Sequence, residues 1–214
     1  MKAESKETKK DDLDLGCNDP LAVTTFLNEQ KGETFVDVGA SDGFYTIGLA
    51  KNWKRIYAFE PYALTAKFLR MRVRKANLSR VDVREKAIID KEGIVSLHLS
   101  PRGWRCHSLY PVGESCVETM SSTLAKEFPH EDLDLVKVDV EGKEFEVVEG
   151  AREIMPRIAA WLIEVHDLRS VCGTRIEHKE TYNQRLKRME KLMKSFGYRT
   201  RWIATKKAIY AYRE

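Results

Sequence analysis

Acidic residues follow two apolar segments of this sequence at the points where those segments end. Asp139 lies near the end of the segment LDLVKVDV, and Glu141 comes two residues later. Glu164 and His166 lie at the end of a second apolar segment, AAWLIEVH. Because a charge is costly to remove from water, carboxylates beside buried strands indicate a functional role. If the two strands are neighbours, these side chains form an acidic cluster that includes an imidazole.

Such a cluster could act by either of two chemistries. A carboxylate with a raised pKa, or His166, could remove the proton of a hydroxyl group while its oxygen reacts. Alternatively, the cluster could bind a divalent cation such as Mg²⁺ or Mn²⁺, which would acidify the hydroxyl directly. The first chemistry needs fewer assumptions, so we predict metal-free catalysis and assign no metal ligands. The predicted catalytic residues are Asp139, Glu141, Glu164 and His166. Glu144 and Glu146 are expected on the exposed face of the next helix, without a chemical role.

A second candidate site lies in the segment FVDVGASDGFYT. Asp37, Gly39 and Gly43 occur where an apolar strand turns into a helix, and glycines there allow a ligand to approach the backbone closely. A dinucleotide site would need G-x-G-x-x-G, but position 37 is an aspartate, which repels a pyrophosphate and suits a cation. The next strand ends in Glu60, which can accept hydrogen bonds from ribose hydroxyls. The pattern therefore predicts a pocket for a positively charged nucleoside, and S-adenosylmethionine fits that description.

The elements that must position these residues alternate along the chain. Periodicity predicts helices over 22–29, 43–52, 64–77, 123–128, 143–155 and 182–197. It predicts strands over 34–40, 55–61, 81–89, 94–100, 133–140, 159–166, 199–204 and 208–214. This order indicates an α/β, doubly wound, mostly parallel sheet of the Rossmann-like kind with a C-terminal antiparallel hairpin. Ligands are then expected beyond the carboxyl ends of the strands, and the irregular segment 100–116 is a candidate substrate loop.

Length and composition favour a soluble globular protein with one sizeable core. The 214 residues are 43% hydrophobic and 33% charged, which is typical of a globular protein. We expect a flexible tail over residues 1–15 and a single domain over 16–214. The sequence has no segment long enough to span a membrane and no apolar signal core. Its four cysteines form no CxxC pair, which favours a reducing, cytoplasmic location.

Basic residues are concentrated over 67–86 and 175–207. Such faces could attract nucleic acid, although solvated amphipathic helices are the more economical interpretation. An RNA methyltransferase therefore stays an alternative, as does a protein that binds the nucleoside without turnover. The oligomeric state is left open.

Several segments together resemble the FkbM family of class I S-adenosylmethionine-dependent methyltransferases. The matching segments are VDVGASDGFYT, AFEP, VKVDVEGKEFEVVEGA and WLIEVH. The resemblance covers about residues 30–170, and its most specific part is D-V-E-G-x-E followed by I-E-V-H. It implies a seven-stranded sheet and methyl transfer, usually to a hydroxyl oxygen, here of a small molecule or sugar.

The resemblance also implies roles for individual residues. Glu60 would hold the ribose, Pro61 and Tyr62 would border the adenine, and Ala87 would lie against its ring. The full set predicted to bind S-adenosylmethionine is Asp37, Gly39, Ala40, Ser41, Asp42, Gly43, Tyr45, Glu60, Pro61, Tyr62, Ala87 and Asp139. The segments that would contact the acceptor carry no matching motif, and Ser121 stands where such proteins often have an aspartate.

Overall fold

The structure is a computed structural model that describes residues 20–103, 106–171, 174–175, 177–203 and 208–213. Its helices are α1 (Pro20–Glu29), α2 (Phe44–Gly48), α3 (Ala63–Lys75), α4 (Leu124–Glu127), α5 (Glu144–Glu149) and α6 (Tyr182–Ser195). Its strands are β1 (Gly32–Val38), β2 (Trp53–Phe59), β3 (Val81–Arg84), β4 (Ala87–Ile88), β5 (Gly93–His98), β6 (Cys116–Ser122), β7 (Leu133–Val138), β8 (Ile158–Glu164), β9 (Ser170–Val171), β10 (Thr174–Arg175), β11 (Arg199–Ile203) and β12 (Ala208–Tyr212). The tail predicted over residues 1–15 lies outside the described residues.

Seven strands form the central sheet in the order β11-β12-β8-β7-β1-β2-β3. The pairs from β8 to β3 are parallel, while β12 runs antiparallel to both β8 and β11. The predicted α/β sheet with its C-terminal antiparallel hairpin is therefore confirmed. The chain order reverses between β1 and β7, and ligands of such sheets bind at this reversal, beyond the carboxyl ends of the strands.

The central strands bury side chains on both of their faces. Val36 and Val38 of β1 belong to a core that also contains residues of α5 and α6. Phe35, which precedes Val36 and points to the opposite face, belongs to a second core that contains residues of α1. A strand covered by helices on both sides buries both of its faces, and in β1 the buried residues are apolar except for Thr34 and Asp37. This packing holds the parallel strands so that their carboxyl ends lie at one edge of the sheet, where the site is built.

The strand predicted over 81–89 divides into two strands of different sheets. β3 joins the central sheet, whereas β4 pairs with β6 in a separate three-stranded sheet of order β4-β6-β5. The polar stretch between them is held by Glu127, which accepts hydrogen bonds from Arg84 (2.8 Å) and Lys86 (2.7 Å). Ala87 therefore lies in β4, beside the central sheet, and not at the end of its third strand.

Two predicted helices are shorter than expected. The helix predicted over 43–52 ends at Gly48 and continues as a 3-10 turn over Ala50–Asn52. The helix predicted over 143–155 ends at Glu149 and continues as a 3-10 turn over Arg152–Arg157. Glycines next to these ends, and a proline in the second turn, weaken the regular helix. No described helix combines the length and the apolar character needed to cross a lipid bilayer.

Candidate active site

The glycine loop brings the end of β1 against the end of β7. Gly39 and Gly43 have φ angles of 82° and 81°, a region that favours glycine. A side chain at Gly39 would collide with the backbone carbonyl of Asp139. The N–H groups of Gly39 and Ala40 both donate to the carbonyl of Phe59, at 3.0 and 2.9 Å. The loop therefore needs glycine at position 39 for the close contact between neighbouring strand ends.

Asp37 forms a buried ion pair beneath this loop. Its carboxylate accepts a hydrogen bond from Thr46 Oγ1 (2.7 Å) and lies 3.2 Å from Lys137 Nζ. Lys137 Nζ is also 3.6 Å from Asp139 Oδ2. Burial favours the neutral amine of Lys137, but the carboxylates of Asp37 and Asp139 outweigh it and raise the pKa above its ordinary value. The carboxylate of Asp37 is thus paired with Lys137 inside the protein, and Lys137 links it to Asp139 of the acidic cluster.

Glu60 lies at the end of β2 with both carboxylate oxygens facing backbone donors. One oxygen accepts from the N–H of Ser41 and the other from the N–H of Tyr62, each at 2.9 Å. Burial raises the pKa of Glu60 to about 7, although these two hydrogen bonds oppose the shift. Each oxygen keeps a further lone pair for a ligand hydroxyl.

One cleft connects Glu60 with Asp139 and Glu141, whereas Glu164 and His166 are not in its lining. It is lined by Val38, Gly39, Ser41, Phe59, Glu60, Pro61, Lys86, Ala87, Ile88, Leu97, His107, Ser108, Leu109, Asp139, Val140, Glu141 and Lys143. Six of the residues predicted to bind the cofactor are in this lining, namely Gly39, Ser41, Glu60, Pro61, Ala87 and Asp139. The other six, which are Asp37, Ala40, Asp42, Gly43, Tyr45 and Tyr62, are not in it.

These other residues have contacts around the cleft. Asp42 lies 3.1 Å from Arg72, and the ring of Tyr45 lies 4.8 Å from Lys137 Nζ. The ring of Tyr62 packs edge-on against that of His107, with centroids 4.6 Å apart. Of these three, Tyr62 contacts a residue of the lining, His107.

Part of the irregular segment 100–116 forms a wall of the cleft. His107, Ser108 and Leu109 all line it. Ser108 is buried and donates a hydrogen bond from Oγ to the carbonyl of Glu141 (2.7 Å). His107 Nδ1 accepts from the N–H of Ser100 (3.1 Å). The sequence marks this segment as irregular, but nothing in it predicts that its middle would contact the acidic cluster.

Asp139, Glu141, Glu164 and His166 come together as the sequence predicts. His166 Nε2 lies 3.4 Å from Glu141 Oε2, 3.7 Å from Asp139 Oδ1 and 3.7 Å from Glu164 Oε1. Burial alone would lower the pKa of His166, but the surrounding carboxylates raise it well above its ordinary value. Burial and the charge of Asp139 raise the pKa of Glu164 to about 8. The carboxylates therefore favour the protonated imidazole, and the shifted pKa of Glu164 favours its neutral carboxyl at neutral pH.

Glu144 was expected on an exposed helix face, and this prediction is wrong. Its side chain is fully buried, with Oε1 2.7 Å from His166 Nδ1 and 2.8 Å from the N–H of Gly142. Its other oxygen lies 2.8 Å from Nη2 of Arg185, which is also buried. Glu141 and Gly142 have positive φ angles of 52° and 115°, and this turn directs the first residue of α5 inward. Its place as the last residue of D-V-E-G-x-E was the signal available in the sequence.

The cluster has a donor set that could also hold a metal. Asp139, Glu164 and His166 each offer one ligand atom, and these atoms lie within 4.8 Å of one another. Carboxylate oxygens with one imidazole suit several divalent cations. The protonated imidazole, however, already compensates part of the negative charge without an ion.

The basic stretch over 67–86 is partly neutralised within the protein. Arg70 lies 2.9 Å from Glu85, and Arg72 lies 3.1 Å from Asp42. Arg84 and Lys86 both bind Glu127, as described above. These ion pairs reduce the positive charge that the stretch could offer to a nucleic acid.

Comparison with known proteins identifies one family and one fold. A protein-family model, that of the methyltransferase FkbM domain, matches residues 37–200. No curated protein sequence matches the chain. A crystal structure of methyltransferase FkbM from Methylobacillus flagellatus KT is 18% identical with a TM-score of 0.57, covering 85% of this chain and 44% of that protein.

Two further solved structures are similar over most of this chain. Precorrin-6y C5,15-methyltransferase from Geobacter metallireducens GS-15 is 14% identical with a TM-score of 0.52, covering 90% of this chain and 86% of that one. TrmK from M. capricolum, solved with S-adenosylhomocysteine, is 11% identical with a TM-score of 0.51, covering 89% and 67%. At these identities the similarity shows a shared fold and nothing finer.

Proposed function

Because the chain belongs to the FkbM methyltransferase domain family, whose members are class I S-adenosylmethionine-dependent enzymes, we propose that it methylates a hydroxyl oxygen of a small molecule or sugar with S-adenosylmethionine. One observation carries this proposal. A single cleft joins Glu60, placed to bind a ribose, to Asp139 and Glu141 of the acidic cluster. A nucleoside bound at one part of this cleft would present its 5′ substituent to the carboxylates.

The residues of the cleft fit S-adenosylmethionine chemically. Glu60 would bind the ribose hydroxyls, with Pro61 and Ala87 beside the adenine. The bare backbone at Gly39 would admit the methionine part, and Asp139 would lie near the positive charge. When bound, the cofactor supplies an electrophilic methyl group on a sulfonium sulfur.

Among the cluster residues, Glu164 is best suited to act as the base. Its pKa of about 8 lies close to the pH at which an enzyme works, so the ionised fraction, which grows as the pH rises towards 8, is basic enough to accept a proton. The acceptor oxygen would take the methyl carbon from the sulfonium sulfur, which leaves as a neutral thioether, and the hydroxyl proton would move to Glu164. The surrounding carboxylates raise the pKa of His166 and so favour its protonated form, which cannot accept that proton. Its charge instead balances the carboxylates that surround it.

A small hydroxyl acceptor agrees with the surface charge better than RNA does. Arg70, Arg72, Arg84 and Lys86 are bound to carboxylates of the protein itself. The wall formed by His107, Ser108 and Leu109, held by the hydrogen bond from Ser108 to the carbonyl of Glu141, also lies beside the carboxylates. Both features favour a compact acceptor.

The cofactor part of this proposal can be tested by calorimetry. S-adenosylhomocysteine should bind the wild-type protein with micromolar affinity, and Glu60→Ala should abolish the binding. Glu29→Ala, at the exposed end of α1, is the matched control and should bind like the wild type. Failure of the wild type to bind would refute the methyltransferase proposal.

If binding is observed, methyl transfer from S-adenosylmethionine should be screened against hydroxyl acceptors. The screen should run in EDTA and in Mg²⁺ in parallel. Metal-free base catalysis predicts equal rates in both, whereas a rate that needs Mg²⁺ would assign the cluster to a metal. Transfer to tRNA alone would replace the small acceptor by RNA.

A further inference from the structure

Glu144 is the member of the D-V-E-G-x-E segment to which the proposed chemistry gives no role. It lies at the first residue of α5, with its side chain fully buried. A buried carboxylate is unfavourable unless its lone pairs are satisfied. The contacts of Glu144 satisfy it on both oxygens, by the N–H of Gly142 and by His166 on one side and by Arg185 on the other.

Arg185 reaches Glu144 from a distant part of the sequence. It lies in the first half of α6, whose start is fixed by a capping box between Thr181 and Gln184. Its guanidinium donates from Nε to the carbonyl of His166 (2.9 Å) and from Nη2 to the carbonyl of Gly142 (3.2 Å) as well as to Glu144. One rigid planar group thus contacts both chain segments that carry the acidic cluster.

These contacts determine how the His166 ring is oriented. Nδ1 is bound to Glu144 at 2.7 Å, which is short enough for a charge-assisted hydrogen bond. The ring is planar, so fixing Nδ1 and the backbone directs Nε2 into the group formed by Asp139, Glu141 and Glu164. A ring turned by 180° would offer carbon atoms to those carboxylates and would lose the bond to Glu144.

We propose that Glu144 and Arg185 are positioning residues, which hold His166 so that its Nε2–H faces the carboxylates at the methyl-transfer end of the cleft. This inference rests on the proposed function, because it assigns the held imidazolium a role beside the base Glu164. Neither residue would touch the cofactor or the acceptor. Their effect would pass through the ring of His166, whose Nε2–H keeps the three carboxylates in place.

Nuclear magnetic resonance of the full chain can test this through the His166 ring. Long-range ¹H–¹⁵N spectra of labelled protein should show both ring nitrogens of His166 protonated at pH 7, with a slowly exchanging Nδ1–H. His166→Gln identifies the resonances among those of the other histidines. The charged and titratable groups around the ring are Lys137, Asp139, Glu141, Glu144, Glu164, Tyr182 and Arg185, so the titration is followed from pH 5 to pH 9.

Glu144→Gln keeps the shape of the side chain and removes its charge. We expect the Nδ1–H resonance to be lost or to exchange at least tenfold faster, and the pKa of His166 to fall. Glu149→Gln on the same helix removes an exposed ion pair with Arg152 and should leave the His166 spectrum unchanged. Arg185→Lys, which keeps the charge but not the fork, should give an intermediate spectrum.

The outcomes separate this proposal from the proposed function. A His166 ring in Glu144→Gln with the wild-type spectrum would overturn the positioning role while leaving binding of S-adenosylhomocysteine untouched. If Glu144→Gln does not fold, the wild type decides, because a ring whose Nδ1–H exchanges freely is not held. If the Nδ1–H of His166 exchanges slowly but the protein does not bind S-adenosylhomocysteine, the methyltransferase site is refuted while the positioning of His166 by Glu144 still holds. With an acceptor identified, the variant should lower kcat about 10²-fold at unchanged KM for the cofactor.

Discussion

The affinity of the cleft for a nucleoside should depend on pH through Glu60. Burial raises the pKa of this carboxyl to about 7, despite the hydrogen bonds from the N–H groups of Ser41 and Tyr62. A ribose hydroxyl donates most strongly to an ionised carboxylate. Binding at low pH must therefore first remove the proton of Glu60, and affinity should rise as the pH rises.

The size of this effect follows from the pKa. With a value of about 7, the carboxyl is about one tenth ionised at pH 6 and about nine tenths ionised at pH 8. If the ionised form alone binds, the apparent dissociation constant falls by about tenfold between these two pH values. At pH 7 each binding event should release about half a proton to the buffer.

Calorimetry with 5′-methylthioadenosine is the appropriate assay. This ligand has the ribose and adenine but lacks the amino acid part, so titration of the acidic cluster should affect it little. Titrations at pH 6, 7 and 8, in buffers of different ionisation enthalpy, give both affinity and proton release. Glu60→Gln should bind weakly and without pH dependence, whereas Glu29→Gln should follow the wild type. Wild-type affinity that does not change with pH, or a Glu60→Gln variant that keeps the wild-type slope, would refute this reasoning.

Three further substitutions should have distinct effects, each measured by urea unfolding. Gly39→Ala should destabilise the fold by about 3 kcal/mol or more, because the methyl group of the alanine would meet a backbone carbonyl at a position of positive φ. The control Gly48→Ala, in open space on α2, should change stability by less than about 1 kcal/mol. Lys137→Met should lower the free energy of unfolding by about 3–5 kcal/mol, because it leaves the buried carboxylate of Asp37 without its cation. Adding Asp37→Asn should recover much of this loss, and no recovery would show that the ion pair is not its cause. Glu164→Gln should stabilise the protein at pH 8 and above, where the buried wild-type carboxyl is ionised, and the gain in stability should vanish towards pH 4.5. The same variant should slow methyl transfer by about 10²–10⁴-fold. A gain that stays constant with pH would contradict the assigned pKa.

The arrangement of the main sheet could be predicted because its signal is local. The segments that become β1, β7 and β8 are rich in apolar residues, as expected of parallel strands covered on both faces. Their order along the chain, with helices between them, leaves few ways to build the sheet. The carboxyl ends of these strands then meet at one edge, so Asp139, Glu164 and His166 could be placed together before the structure was known.

The details that the sequence did not predict depend on partners that are distant in sequence. Glu144 has the charge and spacing of a residue on an exposed helix face, and it is buried because Arg185 and His166 bind it. No local periodicity contains that information. Lys137 is a similar case, since a lysine in an apolar strand is explained only by its contact with Asp37. The division of the strand predicted over 81–89 also depends on a distant residue, Glu127.

Buried ionic groups at this edge of the sheet serve two different purposes. The ion pairs of Asp37 with Lys137 and of Glu144 with Arg185 are nearly complete in themselves, and such pairs add orientation more than stability. The carboxyl groups of Asp139, Glu141 and Glu164 differ, because they gather around a single imidazole, and ionisation of all three would leave excess negative charge.

That excess is unfavourable for the protein by itself, as the raised pKa of Glu164 indicates. It would be relieved by a positively charged ligand or by taking up a proton. A methyl donor with a sulfonium brings the first, and an acceptor hydroxyl that loses its proton brings the second. The repulsion among these carboxylates in the free site is therefore the same property that suits the site to methyl transfer. The neighbouring carboxylates of Asp37 and Glu144 are already paired with cations, so the repulsion is concentrated on the groups that would react.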